Sequence, residues 1–545
     1  MVIGGGEQLF ARALTKERVF PHNGVGAARM KKLPIGIQNF EEIATRDYIY
    51  VDKTPYLHKL LTEGKVYFLS RPRRFGKSLL ISTLENIFLG KKHLFEGLWI
   101  HDRWEFEKHP VVRIDMVAIA RDNGEVLREG LLNRVRDVAD EYAVKIKRKE
   151  HNEAFHELIR KLSDQGKVVV LIDEYDKPII DHVTRPEIAK ENREVLKNFY
   201  GILKAADEYL KFVLLTGVSK FARTSIFSDL NNLYDITMTE KYNNLLGYEE
   251  QDLDRYFGEY LDGTARKLGI RREELRAKMR HWYNGYRFSE REEKVYNPFS
   301  VLQLFGNERF DNYWFESGTP TFLVELMRER NFDVSRADGL ELSDDDFSRF
   351  DVEKIYIPAL LFQTGYLTIE DQIVEGEDRY YRLGYPNYEV EKSLLSELLV
   401  GYAGDQEDVR ESRWQRGLKK CLRNGDLDGF FELVKVAFLG IPYEIVIKRE
   451  DYYNSLMYLC LKLAGLEGAF EVMTNRGRLD CALELEERIY IFEFKIDEEP
   501  QKCIEQIREK GYPEKYRDRG KPIDLVGVTY SSEEKNISNW KVERL

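Results

Sequence analysis

The sequence predicts an α/β protein of several domains: a parallel sheet between helix layers around a phosphate-binding loop, a helical middle region, and a smaller C-terminal α/β module. Three stretches carry that prediction. Val66 to Leu69 reads as a buried strand, Gly76-Lys77-Ser78 closes a tight loop, and an apolar helix follows from Leu79 to Phe88, the order that a phosphate-binding loop requires. Lys167-Val-Val-Val-Leu-Ile-Asp173-Glu174 holds five consecutive apolar residues with no alternation, as in a strand buried on both faces of a parallel sheet. Near the C-terminus, Arg488-Ile-Tyr-Ile-Phe-Glu493-Phe-Lys495 alternates so that Glu493 and Lys495 share one face of a strand,.

A chain of 545 residues has room for roughly two to four domains with separate cores. Its net charge of −11 excludes bulk attraction to nucleic acid, so any such contact must come from a local basic face. Cys421, Cys460, Cys481 and Cys503 show no C-x-x-C spacing and no His cluster. Reduced thiols, and with them a cytoplasmic location, are therefore the expectation rather than zinc or disulfides. No apolar run reaches membrane-spanning length, so no membrane is expected, and nothing at the N-terminus reads as a secretory signal. Composition and punctuation divide the chain into a poorly patterned segment (1–32), a nucleotide-binding domain (33–240), a helical region (241–440) and a C-terminal domain (441–545). Met30, followed by Lys31-Lys32, is an alternative start.

Taken in order, Thr54-Pro55 predicts a helix start with Thr54 as N-cap and Pro55 at the first helical position. Tyr48 or Tyr50 could stack on a nucleotide base or pack in the core. The loop Arg71, Pro72, Arg73, Arg74, Phe75, Gly76, Lys77 and Ser78, with Leu79 opening the helix, is the candidate nucleotide-binding set. Gly76 lets backbone N–H groups approach phosphate, Lys77 reaches the β- and γ-phosphates, and the Ser78 hydroxyl ligates Mg²⁺. Arg71 stands where the general pattern G-x-x-x-x-G-K-[S/T] has its first glycine. Val111 to Asp115 predicts a second strand, and one long helix is expected from Glu125 to Ser163, broken by Gly166. Asp173 and Glu174, at the C-terminal end of the next strand, sit where α/β sheets bind ligands. Asp173 would hold Mg²⁺, and Glu174 would orient and deprotonate water. Phe212 to Gly217 is a further strand. Thr216 or Ser219 could serve as the polar sensor of the γ-phosphate, and Lys220 or Arg223 could reach that phosphate from the same subunit or from a second copy in a homo-oligomer.

From Glu240 to Gly440 the pattern is mostly helical, with helices at Glu249 to Leu268 and Arg272 to Tyr283. Turns fall at Gly285, Asn297-Pro298 and Gly318 to Pro320. The aromatic clusters at Trp282 to Tyr286 and Tyr313 to Phe315 read as packing. Phe362 to Ile369 and Tyr380 to Leu383 alternate like a hairpin, consistent with a winged-helix-like lid over nucleotide or DNA. The C-terminal domain reads helix (Glu450 to Leu463), three strands (Phe470 to Met473, Arg478 to Leu485, Arg488 to Ile496), helix (Pro500 to Lys510) and strand (Ile523 to Tyr530).

Arg71-Pro-Arg-Arg-Phe-Gly-Lys-Ser78, Leu171-Ile-Asp-Glu-Tyr-Asp176 and Thr216-Gly-Val-Ser-Lys220 resemble the AAA-ATPase-like family. These are prokaryotic P-loop NTPases joined to a C-terminal, restriction-endonuclease-like domain of the PD-(D/E)XK nuclease superfamily, and the similarity runs from about Leu33 to the C-terminus. In that family an Arg-rich loop replaces the first glycine, so Arg71 fits. Asp480 with Glu493-x-Lys495 resembles the nuclease site, in which two carboxylates bind Mg²⁺ and the lysine positions the attacking water. Glu450 resembles its auxiliary acid and Gln506 the polar residue supporting the lysine, with Tyr512 a further candidate. The resemblance implies ATP and Mg²⁺ at two separate sites and a DNA or RNA substrate. Arg476, Arg478, Lys502 and Arg508 would then lie near the phosphate backbone. Three functions remain open at this point: an ATP-regulated nuclease, a nucleotide switch that binds nucleic acid without cutting, and an ATPase whose C-terminal domain makes protein contacts.

Overall fold

Five strands, β1 (Val66–Ser70), β2 (Val111–Asp115), β3 (Val168–Asp173), β4 (Leu210–Gly217) and β5 (Tyr234–Asp235), form the first sheet of a computed structural model of the chain. All pairs in it are parallel, in the order β2-β3-β4-β1-β5. The structure describes residues 30–545 except 221–225, 228–229, 315–320, 331, 333, 335–336, 349, 352–353, 404–411, 440–449, 467 and 475–476. Most of the N-terminal segment, Phe315, the turn at Gly318 to Pro320, Arg223 and Arg476 lie outside the described residues.

Every residue of β1 and β3 is buried, which explains why neither alternates. Each buried Val, Leu or Phe contributes ~1.5–3 kcal/mol, and helices cover both faces. On either side of β1 lie α1 (Phe40–Thr45), α2 (Thr54–Glu63) and α3 (Lys77–Phe88) in the chain. The N-cap of α2 is Lys53 rather than Thr54, and Asp52 just before it braces the first residue: its Oδ1 accepts from Thr54 N at 2.9 Å and from Thr54 Oγ1 at 2.6 Å. Tyr50 packs edge-on against Phe40 at 5.0 Å and Tyr48 lies under Lys32 at 5.6 Å, so both have protein neighbours rather than an open base platform.

The single helix expected from Glu125 to Ser163 is two, α4 (Gly124–Glu141) and α5 (His151–Leu162). Ala143 turns the chain with φ +54°, Tyr142 Oη accepts from Val111 N at 2.8 Å, and Glu157 accepts from the Lys147 and Arg148 N–H groups. The apolar stripe continues through both halves, so periodicity alone does not register a break made by tertiary hydrogen bonds. Two more helices, α6 (Lys177–Ile180) and α7 (Pro186–Ala205), lead into β4.

The middle region contains α8 (Glu250–Leu268, kinked at Phe257), α9 (Arg272–Tyr283), α10 (Pro298–Asn307) and α11 (Thr321–Glu329). A three-stranded sheet follows, with β6 (Glu341–Ser343) on the outer side of the hairpin β9 (Thr368–Glu375) and β10 (Asp378–Gly384). Between them in sequence lie the short pair β7 (Phe350–Asp351) and β8 (Lys354–Ile355) and the helix α12 (Ile357–Thr364). The hairpin therefore starts later than its alternation suggests, because Phe362 to Thr364 finish a buried helix that Gly365 ends in the left-handed region. Three helices close the region: α13 (Tyr388–Ala403), α14 (Ser412–Asn424) and α15 (Leu427–Leu439).

The C-terminal domain is α16 (Glu450–Leu463), β11 (Gly468–Thr474), β12 (Gly477–Glu484), β13 (Ile489–Ile496), α17 (Pro500–Glu509), β14 (Ile523–Ser531) and β15 (Asn536–Arg544). Its sheet runs β11-β12-β13-β14-β15, with only β13 and β14 parallel. The last strand is an addition to the sequence reading; its exposed outer positions give it no clean apolar alternation. One sheet face packs Ile489, Ile491 and Leu525 under Ile504 and Ile507 of α17. On the other, Tyr453 of α16 and Phe438 of α15 stack on Tyr530.

Candidate active sites

The strand order assembles the first site. β4 lies between β1 and β3, so the loop leaving β1, the acids leaving β3 and Thr216 on β4 emerge side by side at one sheet edge. Gly76 has φ +91°, and a Cβ there would meet nothing within 4 Å. The loop is thus open on that side, with the first turn of α3 behind it, an arrangement suited to phosphate.

Lys77 is buried, and its Nζ donates to the carbonyls of Arg71 at 2.8 Å and Pro72 at 2.9 Å. Burial pushes its pKa down, opposed by the charges of Glu174, Asp173 and Asp176. Those acids share the lysine: burial pushes Glu174 up, Lys77 pulls it back, and Asp176 is likewise raised by burial. Asp173, 1% exposed, accepts from Thr216 Oγ1 at 2.6 Å, which fixes one oxygen and orients the other. Glu174 takes φ +50°, a left-handed conformation costing ~1–2 kcal/mol for a side-chain-bearing residue. Ser78 and Leu79 are half-buried in the first turn.

Several assignments shift. The Arg71 guanidinium does not face the phosphate position. It is buried, donates to the carbonyls of Ser70, Thr237 and Tyr242, and lies 4.2 Å from the Phe288 ring centre. It is a strut under the loop, and only its backbone can contribute to the anion site. Phe75 is likewise a packing residue, against Tyr286 at 4.7 Å and Phe288 at 5.4 Å. Arg74 lies over Phe299 at 4.8 Å, and the Arg73 carbonyl accepts from Trp314 Nε1 at 3.1 Å. Ser219 is not free to sense phosphate, because its N and Oγ both donate to Asp176 Oδ2 at 2.7 Å. Lys220 is committed to Asp235 at 3.0 Å. Asp176, which also accepts from Val218 N at 3.0 Å, was given no role by sequence. Its signal was the third acid after β3, within the stretch already singled out.

The second site lies on β12 and β13. The Cys481–Phe492 pair of the ladder places Asp480 next to Glu493, and Asp480 Oδ2 accepts from Phe494 N at 2.9 Å. Glu493 is 1% exposed and accepts from Lys495 Nζ at 3.5 Å and from Gln506 Nε2. All three charges act on Tyr512, which is buried beside Gln506, and on Cys503, whose thiol burial pushes up to about 11. Gly527, paired with Glu493 across the sheet, permits this closeness: a Cβ there would sit 2.3 Å from the Pro500 carbonyl. Glu450 opens α16, but its side chain and that of Arg478 lie outside the described residues. Lys502 pairs with Glu498 at 3.0 Å and Arg508 with Glu543 at 2.7 Å. Both pairs are exposed, so a polyanion could displace the carboxylates at little cost.

Hydroxyl and carboxylate oxygens at Ser78 and Asp173, and the carboxylates of Asp480 and Glu493, suit a hard cation. Among the described residues no three His, Cys, Asp or Glu side chains form a ready metal cage. Mg²⁺ at either place would draw its remaining ligands from water and phosphate, as it usually does. No helix among the described residues is long and apolar enough to cross a membrane.

Residues 34–227 match the family model described as predicted AAA-ATPase, and residues 448–540 match that of the PD-(D/E)XK nuclease superfamily. A protein of Azotobacter chroococcum mcd 1, described as an uncharacterized protein in the vnfD 5′ region, is 41% identical over 528 residues, covering 94% of this chain and 99% of its own length. With the parallel sheet, its loop and acids, and the carboxylate-bearing C-terminal sheet in place, the chain belongs to the AAA-ATPase-like family of P-loop proteins that carry a C-terminal PD-(D/E)XK nuclease superfamily domain.

Proposed function

We propose that this protein binds and hydrolyses ATP in its N-terminal domain and, under control of that nucleotide, cleaves phosphodiester bonds of DNA or RNA in its C-terminal domain. The observation that carries the reading is the convergence of Asp480, Glu493 and Lys495 on one face of β12 and β13 with Gln506 of α17, in a chain that also holds the Gly76-Lys77-Ser78 loop. Bound Mg²⁺ would supply charge neutralisation at phosphate and a more acidic water at each site. At the first site, Lys77 leaves the carbonyls of Arg71 and Pro72 to meet the phosphates. Glu174, its carboxyl made more basic by burial, takes the proton of water as the water oxygen attacks the γ-phosphorus and the bond to the β-phosphate oxygen breaks. Thr216 holds Asp173 in place. At the second site, Lys495 orients the attacking water and Gln506 fixes Glu493; the water oxygen bonds to phosphorus and releases its proton to solvent, while the ester P–O bond breaks and the leaving oxygen takes a proton from a second water.

The test is the full chain with plasmid and with single- and double-stranded DNA and RNA oligonucleotides, in Mg²⁺ or Mn²⁺, with and without ATP. Lys495→Ala should abolish cleavage and leave ATP hydrolysis intact. Lys77→Ala should abolish hydrolysis, and cleavage too if the nucleotide gates it. No cleavage of any substrate would favour a switch that binds without cutting, and unchanged ATP turnover in Asp173→Ala and Glu174→Ala would overturn the first site.

A further inference from the structure

We infer that Trp314 and Glu389 are positioning residues of the nucleotide loop, and that the helix bearing Glu389 transmits the state of that loop to the C-terminal domain. The inference rests on the nucleotide reading above and supplies its regulation. Three successive loop carbonyls are held from two directions. Lys77 Nζ holds those of Arg71 and Pro72, and the Trp314 indole holds that of Arg73. A triphosphate competes for Lys77 but not for Trp314, so the third carbonyl stays tied to the middle region while the first two change partner.

Trp314 is itself fixed. Its backbone N donates to Glu389 Oε1 at 2.7 Å, and its ring packs edge-on against Tyr366 at 5.1 Å. The other Glu389 oxygen accepts from Ser300 Oγ at 2.8 Å. Ser300 belongs to α10, whose Phe299 carries the Arg74 guanidinium. One carboxylate therefore ties together both elements that grip the loop. Glu389 is 1% exposed, and no cation pairs with it among the described residues. A buried carboxyl without a counter-charge is costly; a leucine would avoid that cost but strand the Trp314 N–H and the Ser300 hydroxyl,. What leucine cannot supply is a pair of acceptors reaching two separate segments.

Glu389 lies in the first turn of α13, and two residues on Glu391 pairs with Lys462 of α16 at 3.0 Å. The two helices pack along each other, and Tyr453 of α16 stacks on Tyr530 of β14 at 4.7 Å, in the sheet that carries Glu493. Spatial continuity becomes coupling only if both ends bias the same element, so coupling is what must be measured.

The experiment uses the full chain, with N-methylanthraniloyl-ADP affinity, KM and kcat for ATP, melting temperature, and amide hydrogen exchange of residues 450–463 with and without saturating ADP and Mg²⁺. Trp314→Phe, which keeps an aromatic ring against Tyr366 but removes the indole N–H, should stay folded with a modestly lower melting temperature yet bind roughly tenfold more weakly, raising KM with little change in kcat. Glu389→Leu should weaken binding and raise KM in the same way, while Glu389→Gln, still an acceptor for Trp314 N, should stay near wild type in nucleotide affinity. ADP should slow exchange across 450–463 in wild type and not in Trp314→Phe. Lys462→Met should keep nucleotide affinity and lose that response. Equal affinity in Trp314→Phe and wild type overturns the positioning role. If Trp314→Phe does not fold, equal behaviour of folded Glu389→Leu and Glu389→Gln overturns it instead. Exchange across 450–463 that ignores bound ADP overturns transmission. A wild-type chain that binds no nucleotide sinks the nucleotide reading and this inference together, whereas binding that the variants leave untouched sinks this inference alone.

Discussion

Two buried carboxyls, Glu389 and Asp176, do their work through the hydrogen bonds they accept. Burial raises Glu389 from the ordinary 4.5 to about 8, against the opposing effect of the Trp314 and Tyr313 N–H groups and Ser300, with Asp311 adding to the rise. Below pH 4.5 the folded and unfolded chains both hold this proton; between 4.5 and 8 only the folded chain does. Stability from this group therefore falls as pH rises through that window and is gone above pH 8. The gap corresponds to ~5 kcal/mol at ~1.4 kcal/mol per pH unit. Urea unfolding at pH 5 and pH 8.5 should show wild type losing several kcal/mol relative to Glu389→Gln; parallel losses in both proteins would refute the assignment. Asp176→Ala strands the Val218 and Ser219 N–H groups and the Ser219 hydroxyl, at a cost of ~2–4 kcal/mol. Asp176→Asn, still an acceptor, should lose less than half as much, and ATP turnover should fall in the same order.

Among the elements, α17 decides whether the second site is assembled. It reaches Glu493 through Gln506 because Gly527 has no side chain to hold Pro500 away. Gly527→Ala should push α17 outward, lower stability by ~1–3 kcal/mol and remove cleavage while ATP hydrolysis persists; retained cleavage at wild-type stability would show that the contact is slack. The same element scale explains why β1 and β3 were legible in sequence and α4–α5 was not. Uninterrupted apolar runs such as Val168 to Ile172 have one burial solution, between two helix layers. The break after Glu141 depends on Tyr142 meeting Val111 and on Glu157 meeting Lys147 and Arg148, partners that no local period specifies.

For the whole molecule, the middle region touches both of the other domains. It grips the loop through Phe288, Phe299 and Trp314 and leans on the C-terminal domain through α13 and α16. Nucleotide at 100 times its dissociation constant should stabilise the folded chain by ~2.7 kcal/mol. If the domains are coupled, calorimetry should show that rise in the unfolding of the C-terminal domain as well, and a shift confined to one of two separate transitions would refute the coupling. Sequence by itself determined the elements that carry the candidate sites: Gly76-Lys77-Ser78 after a buried strand, Asp173-Glu174 at the end of another, Glu493 and Lys495 on one face of a third. These follow from local spacing, because strand alternation and loop order are properties of neighbouring residues. Only the tertiary structure decided that Arg71 and Phe75 support the loop from behind, that Ser219 and Lys220 are already engaged, and that Trp314, held by Glu389, bonds the loop carbonyl of Arg73. Each depends on a partner outside its own element, from Asp235 for Lys220 to Trp314 for Arg73, where the cost of burying a polar group is met only once the chain has folded.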